Sequence, residues 1–286
     1  MPSQSQNEFV LTSSVRTEIV RRVAESTTPT DALLSGIDAS DSAVYDALST
    51  LRGRGLLTEC DGSWELTAHG HLVADSVSEW LSSEDFRATD PSFWKNHRID
   101  VIPPSFRRRL PEVGEYEIVR DVPQEPNRCE DVAIGMLEAA DSCDLTTPYY
   151  SRRHQEAIPR DPETRLLVTR EAIDVSLQRY RDGHREEWND LDPASLRLTD
   201  CQFASVVTDD KLKFELPALN EGATDRHDGT GTTAPSEHGS VAGTTALFVS
   251  ETDSAVQWGR DLFEVLWADS DPIGPYVERQ FPDLWE

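Results

Sequence analysis

The sequence predicts a multi-domain α/β protein, a small helical domain with a β-hairpin followed by a larger domain built from a sheet and helices. Three observations predict it. Residues 40–70, SDSAVYDALSTLRGRGLLTECDGSWELTAHG, change from a helical to a strand repeat around two glycines. Beyond residue 112, short β-rich runs alternate with helical ones, as a layered α/β domain requires. Between the two, residues 83–112 are polar and carry Pro91, Pro103, Pro104 and Pro111.

In the first domain, assigned to residues 1–82, Leu11, Val15, Ile19 and Val23 recur every fourth residue and so share one helix face. Thr30 to Ile37 can form a short scaffold helix. Ser40 is a competent N-cap for the next helix, whose Val44, Ala47, Leu48 and Leu51 fall on one side. After Gly53 and Gly55 the runs Leu56-Leu57-Thr58 and Trp64-Glu65-Leu66 read as strands joined at Asp61-Gly62, a tight-turn pair. Leu72, Val73, Val77, Trp80 and Leu81 predict a fourth amphipathic helix. This order is that of a winged helix-turn-helix.

Such a domain lays the start of its recognition helix in the major groove of double-stranded DNA. Ser40, Asp41, Ser42, Tyr45 and Asp46 are then nearest the base edges, while Arg52, Arg54 and the hairpin tip at Gly62 and Ser63 meet phosphate. Helix-turn-helix proteins commonly bind paired half-sites through matching twofold symmetry, so a homodimer is expected. The runner-up reading is a protein-interaction module that keeps these elements without binding DNA, since a fold does not fix a function.

Charge bears on that choice. The chain has 53 acidic and 27 basic residues, a net charge of −26, with 24 Arg against 3 Lys. Residues 1–82 hold twelve acids and five arginines, so the segment lacks the basic footprint usual for a DNA-binding surface. The composition suits a halophilic, salt-loaded cytoplasm. At molar salt the Debye length is roughly 3 Å, so acidic self-repulsion and repulsion from phosphate are screened. Counterion release then adds little, and groove contacts must carry the affinity. The acids are spread along the whole chain and seven Trp accompany them, which argues against a disordered acidic polymer.

Residues 83–112 read as a connector that packs, with Phe93 and Trp94 opening a short helix. The second domain, residues 113–273, reads strand at 115–120, helix at 128–141, strand at 145–149, a helix from Ser151, strand at 166–168 and helix at 171–180. Three strands follow at 195–199, 203–208 and 212–216, then a strand at 245–249 and a closing helix at 253–267. In that last helix Ala255, Trp258, Gly259, Leu262, Phe263, Leu266 and Trp267 give a broad apolar face, read as core, with a dimer seam as the alternative. Residues 219–243 are rich in Gly, Thr, Asp, Ser and His and read as a mobile insert. His227, His238, Asp225 and Asp228 lie inside it without the ordered spacing of a metal site. Residues 274–286 read as a tail.

Tyr149, Tyr150, Ser151, Arg152, Arg153 and His154 stand where a strand ends and a helix begins, a favoured ligand position in open α/β sheets. Helix-start amides with guanidinium groups suit an anionic or other small-molecule effector. The alternative is an ordinary helix start with solvated charges. Arg107, Arg108 and Arg109 form the densest basic run, which reads equally as a contact to DNA or a partner's acids and as a surface connector. Cys60, Cys129, Cys143 and Cys201 are far apart with no C-x-x-C pair, so packed, reduced thiols are expected, with no metal site and no cofactor. No stretch approaches the ~18 apolar residues of a membrane span, and the N-terminus lacks a secretory core, so the expected location is cytoplasmic.

The N-terminal pattern, the segment NHRIDVIPPSFRRRLPEVGEYEIVRD at 96–121 and SETDSAVQWGRDLFEVLWADSDPI at 250–273 together resemble the archaeal methanogenesis-regulator family of transcription factors, especially halophilic members. The resemblance implies a winged helix ahead of an effector domain related in fold to phospholipase D, in proteins that are regulators, not hydrolases. The insert and the tail PYVERQFPDLWE depart from it. Phospholipase D chemistry needs a His nucleophile with a Lys two residues on, and the chain has no His-x-Lys; Lys95 precedes His97, the wrong order. Neither G-x-S-x-G nor a phosphate-loop glycine pattern is present. No enzymatic activity is expected.

Overall fold

Two helix-starting serines open the chain. The apolar stripe from Leu11 to Val23 is shared between α1 (Gln6–Leu11) and α2 (Ser14–Glu25), and Ser5 and Ser13 cap them by accepting the Glu8 and Arg16 amides. The computed structural model describes residues 5–181, 195–219 and 246–281. The chain divides into two compact units, Met1–Asp85 and Phe86–Glu286.

In the first unit the two-residue strand β1 (Thr28–Pro29) leads into α3 (Thr30–Gly36). Ser40 then starts α4 (Asp41–Gly53), its Oγ accepting the Ala43 N–H at 3.3 Å. The hairpin follows as β2 (Leu57–Cys60) and β3 (Ser63–Leu66). Its turn has φ of 51° at Asp61 and 77° at Gly62, the left-handed pair that suits the right-handed twist of a two-residue hairpin. The sheet runs β1-β3-β2 with both pairings antiparallel. Val44, Leu48 and Leu51 from α4 meet Ile19, Val23, Leu33, Leu56 and Trp64 in one core. The indole N–H of Trp64 donates to Thr30 Oγ1 at 3.0 Å, tying β3 to the start of α3.

α5 (Ala68–Ala88) is longer than the expected fourth helix and turns only part of the expected face inward. Val73, Ala74 and Val77 are buried, whereas Leu72 is 69 % exposed and Trp80 48 %, contrary to their expected place on the apolar face. The reason is a close approach. A Cβ on Gly70 would stand 2.0 Å from the Leu56 carbonyl oxygen, so Gly70 lies against that backbone. Val73, Ala74 and Val77 stack above it on that side, Leu72 falls opposite them and Trp80 at their edge.

The prolines of 83–112 start helices instead of preventing them. Pro91 opens α6 (Pro91–Asn96) and Pro104 opens α7 (Pro104–Arg108), at positions whose missing N–H would have no partner anyway. Short 3-10 turns at Ile99–Val101 and Leu110–Val113 complete the stretch. Phe86, Phe93, Ile102, Phe106, Leu110 and Val113 are core residues of the second unit, so this segment is a layer of that unit and not a separate linker.

After it come β4 (Glu117–Arg120), α8 (Arg128–Ala139), β5 (Asp144–Thr147), α9 (Arg152–Ala157), β6 (Arg165–Val168) and α10 (Arg170–Arg181). β7 (Leu196–Leu198), β8 (Ala204–Val207), β9 (Leu212–Glu215), β10 (Ala246–Ser250), α11 (Asp253–Ala268), β11 (Asp271–Pro272) and α12 (Gly274–Gln280) finish the chain. The eight strands line up as β11-β7-β6-β5-β8-β9-β10-β4. β5, β6 and β7 are parallel and every other pairing is antiparallel.

Helices cover both faces of this sheet. On one face Trp258 and Leu262 of α11, with Phe93 and Phe106, pack on Val207, Leu212, Phe214 and Phe248. A Cβ on Gly259 would come within 2.8 Å of Leu212 and 2.9 Å of Val207, so α11 rests directly on the strands. Its apolar face is therefore filled from within the unit. The opposite face carries two clusters, Val119, Leu247 and Val249 with α8, and Leu145, Leu166, Val168, Leu196 and Val206 with α10 and α12. Residues 274–280, expected as tail, form α12, and Val277 and Phe281 are buried in that second cluster.

Candidate functional site

The outer side of α4 is open. Ser40, Asp41, Ser42, Tyr45 and Asp46 are all exposed, Tyr45 to 54 %, because the buried set Val44, Ala47, Leu48 and Leu51 occupies the opposite side. Gly62 at the hairpin tip is exposed and Ser63 half-buried. Cys60, beside the tip, is exposed as well.

The arginines were expected to meet phosphate, and their partners change that expectation. Arg54 is half-buried, its guanidinium 3.7 Å from the Phe9 ring centre and donating to Gln6 Oε1 at 3.4 Å. Arg52 is exposed but pairs with Glu59 at 3.1 Å. Arg21 pairs with Glu18 and Glu25, and Arg22 pairs with Glu18 and donates to the Gly36 carbonyl. Arg16 donates to the Phe9 carbonyl and lies over the same ring. All five arginines of this unit thus have partners inside it. Arg21 and Arg22 also hold the Glu18 carboxyl down at about 2, hydrogen bonds from Arg21 first.

In the second unit, Tyr149 to His154 form the turn from β5 into α9. Ser151 caps this six-residue helix through the His154 amide. The two guanidinium groups expected to hold an anion are engaged: Arg152 with Glu156 at 2.7 Å, and Arg153 with Glu130 and, at 2.9 Å, Asp131 of α8. Arg179 of α10 donates to the Tyr150 hydroxyl at 3.0 Å. Of the basic run, Arg109 bridges Glu112 and Asp261 on α11, and Arg107 Nε is buried without a hydrogen-bond partner.

Sequence reasoning missed a polar cluster beside this turn. Lys213 and Glu215 of β9 are 2 % and 7 % exposed and pair at 2.5 Å. The Tyr149 hydroxyl donates to the other Glu215 oxygen at 2.6 Å. Burial pushes the Glu215 carboxyl up, but Lys213 and Tyr149 together hold it below its ordinary value. Burial, then the Lys213 charge, lowers His154 to about 4, so its ring is neutral at pH 7, and its Nε2 is buried with no hydrogen-bond partner. A hollow of about 60 Å³ adjoins, lined by Tyr149, His154 and the aliphatic side chains of Leu145, Ile158, Leu166 and Val168 among others. The only available signal was the alternation Leu212-Lys213-Phe214-Glu215, which reads equally as a strand with a wet face.

A larger hollow, about 460 Å³, lies near Arg98, Arg170, Thr199 and Asp269. Its arginines already pair at its walls, Arg98 with Asp100 and Arg170 with Asp200 and Asp271. The insert residues His227, His238, Asp225 and Asp228 lie outside the described residues. Among the described residues no cluster of three or more His, Cys, Asp or Glu is placed to hold a metal ion, and no helix is long and apolar enough to cross a membrane.

The sequence profile of the methanogenesis regulatory protein FilR1, middle domain, matches residues 126–269, just over half of the chain. The chain belongs to the FilR1 middle-domain family. In this FilR1-family chain the matched span runs from the approach to α8 through α11, and so contains both Tyr149–His154 and the Lys213–Glu215 pair. The profile of the HVO_A0261 N-terminal domain matches residues 4–88, which cover the first unit and the end of α5. No curated protein matches the FilR1-family chain. Among solved structures it is similar to the archaeal chromatin protein TrmBL2, whose structure is described as showing a novel mode of DNA binding. The two are 14 % identical over 90 % of this chain and 93 % of that one, with a TM-score of 0.34. It is also similar to Nuc, a phospholipase D family member from Salmonella typhimurium, at 7 % identity over 55 % and 97 % of the two chains and a TM-score of 0.33.

Proposed function

We propose that this chain is a DNA-binding transcription regulator whose first unit is a winged helix and whose second unit senses a ligand or mediates assembly. One observation carries the reading: α4 presents an open side starting at its capped N-terminus, in the same unit as an exposed two-residue hairpin tip. That combination suits a helix in the major groove with a wing on the backbone. Family membership supports a regulatory role. With its arginines engaged internally, the unit would read DNA through hydroxyl, amide and carboxylate groups. Asp41 and Asp46 are acceptors suited to the amino group of cytosine, and Tyr45 offers a ring to a thymine methyl. The chain acts as a dimer in this reading, and carries out no phosphodiester chemistry, lacking His-x-Lys.

The engaged arginines and the acidic surface favour one second reading, a protein-interaction module. A mobility-shift assay at molar KCl separates the two, using duplexes recovered from a genome-wide map of bound fragments. Ser42, Tyr45 and Asp46 are exposed, so their joint replacement by alanine leaves the fold intact. The regulator reading expects the wild type to select a defined sequence and the triple variant to lose that selection by at least about tenfold, each mismatched contact costing roughly 1–3 kcal/mol. Equal and sequence-blind behaviour of the two proteins would establish the interaction module.

A further inference from the structure

We propose that the hollow beside Tyr149 and His154 is the effector site and that it takes a small monocarboxylate with a short aliphatic body. The inference rests on the sensor reading of the second unit and names its ligand class. Size comes first. A volume of about 60 Å³ gives room for on the order of four water-sized positions, hence an occupant of roughly four to six non-hydrogen atoms. Leu145, Ile158, Leu166, Val168 and Ile173 supply most of its wall, which suits a hydrocarbon portion.

The polar members set the other end of the ligand. His154 Nε2 is buried and has no hydrogen-bond partner, a group that ordinary packing would have satisfied. The Tyr149 hydroxyl is already given to Glu215. Lys213 and Glu215 stand behind these groups, paired with each other, and do not line the hollow. Lys213 and Glu215 cancel in charge. An occupant bringing one negative charge supplies an acceptor for His154, which takes up a proton as the anion enters, and the site stays neutral. A phosphate is disfavoured, because the guanidinium groups that would match it, Arg152 and Arg153, are bound to Glu156, Glu130 and Asp131.

The test uses the full-length protein without DNA, in potassium chloride of constant ionic strength. Acetate, propionate and butyrate are titrated by calorimetry, with propionamide as the neutral isostere. At least one carboxylate is expected to bind saturably and to raise the melting temperature, and propionamide to do neither. His154→Gln should weaken that binding about tenfold, the loss of one charged hydrogen bond. Ala172→Leu, which fills the hollow and leaves the charged groups in place, should abolish it. No binding by any of the three carboxylates to the wild type overturns the proposal, as does equal binding of propionamide, or carboxylate binding that both variants leave unchanged. DNA selection by the unliganded protein is measured separately, so failure of the ligand class and failure of the regulator reading are told apart.

Discussion

Burying an ammonium and a carboxylate on a central strand costs several kcal/mol per ion in desolvation, which Lys213 and Glu215 offset, among the described residues, through each other and Tyr149. Removing one partner leaves the other buried and uncompensated. Lys213→Met alone should therefore destabilise the second unit by about 3–5 kcal/mol, while Lys213→Met with Glu215→Leu should be close to neutral, read from urea midpoints. If the single and double variants lose the same stability, the pair is not coupled in this way. His154 adds a pH dependence. Its folded value of about 4 lies below its ordinary 6.5, because burial first and then Lys213 disfavour the charged ring. The unfolded chain consequently binds more protons in that interval, and stability present above pH 6.5 is lost as pH falls toward 4. Glu18, held at about 2, begins to contribute only below its ordinary 4.5 and so stays out of the His154 span from 6.5 to 4.5, while Asp144, pushed up by burial, acts in the opposite sense to His154. His154→Phe should flatten the stability profile there; an unchanged slope would place the titrating group elsewhere.

Gly70 and Gly259 mark close approaches between elements. Gly70 lies against the Leu56 carbonyl, and because backbone cannot yield as a flexible side chain does, Gly70→Ala should destabilise the first unit by about 1–3 kcal/mol and broaden its melting. A neutral substitution would mean that α5 sits further from the hairpin than described. The hairpin tip also offers a reporter. Cys60 is exposed, whereas burial pushes Cys129, Cys143 and Cys201 up to about 12 and leaves them unreactive. Native protein should react with a maleimide quickly at one thiol, and a selected duplex should slow that reaction if the hairpin is the wing. Undiminished labelling in the complex would count against that placement.

Across the whole molecule the governing quantity is charge. With −26 overall and every arginine of the first unit paired within it, few phosphate-bound counterions can be displaced. Affinity for a selected duplex should fall with salt far less steeply than the slope of about −10 seen for a repressor making many phosphate contacts, a logarithmic slope shallower than about −2 being expected. A steep slope would show that Arg52 and its neighbours leave their acids to meet DNA. Homodimerisation, required by the half-site reading, is checked by sedimentation in the same salt; a monomer bound to a single site would remove it. The acidic excess was evident from composition, but which arginines are occupied was not, since Arg54 and Phe9 lie 45 positions apart in the chain.

Local order was legible in the amino-acid string. The period of α4, its Ser40 cap and the Asp61-Gly62 turn each depend on residues within a few positions, where backbone geometry and short-range hydrogen bonds decide the outcome. Most strands and helices of the second unit were visible for the same reason, whereas β11 and α12, the latter expected as tail, were not. Tertiary structure alone decided which sides of β9 and α5 are buried and which charges are free. The alternation on β9 suits a half-wet strand, yet Lys213 and Glu215 are buried, with the Tyr149 hydroxyl from the turn after β5 on Glu215. Leu72 and Trp80 have the spacing of a core stripe, yet the contact at Gly70 rotates them outward. Burial and ion pairing arise between segments distant in sequence, and their long-range contacts override a pattern that, on its own, fits either face.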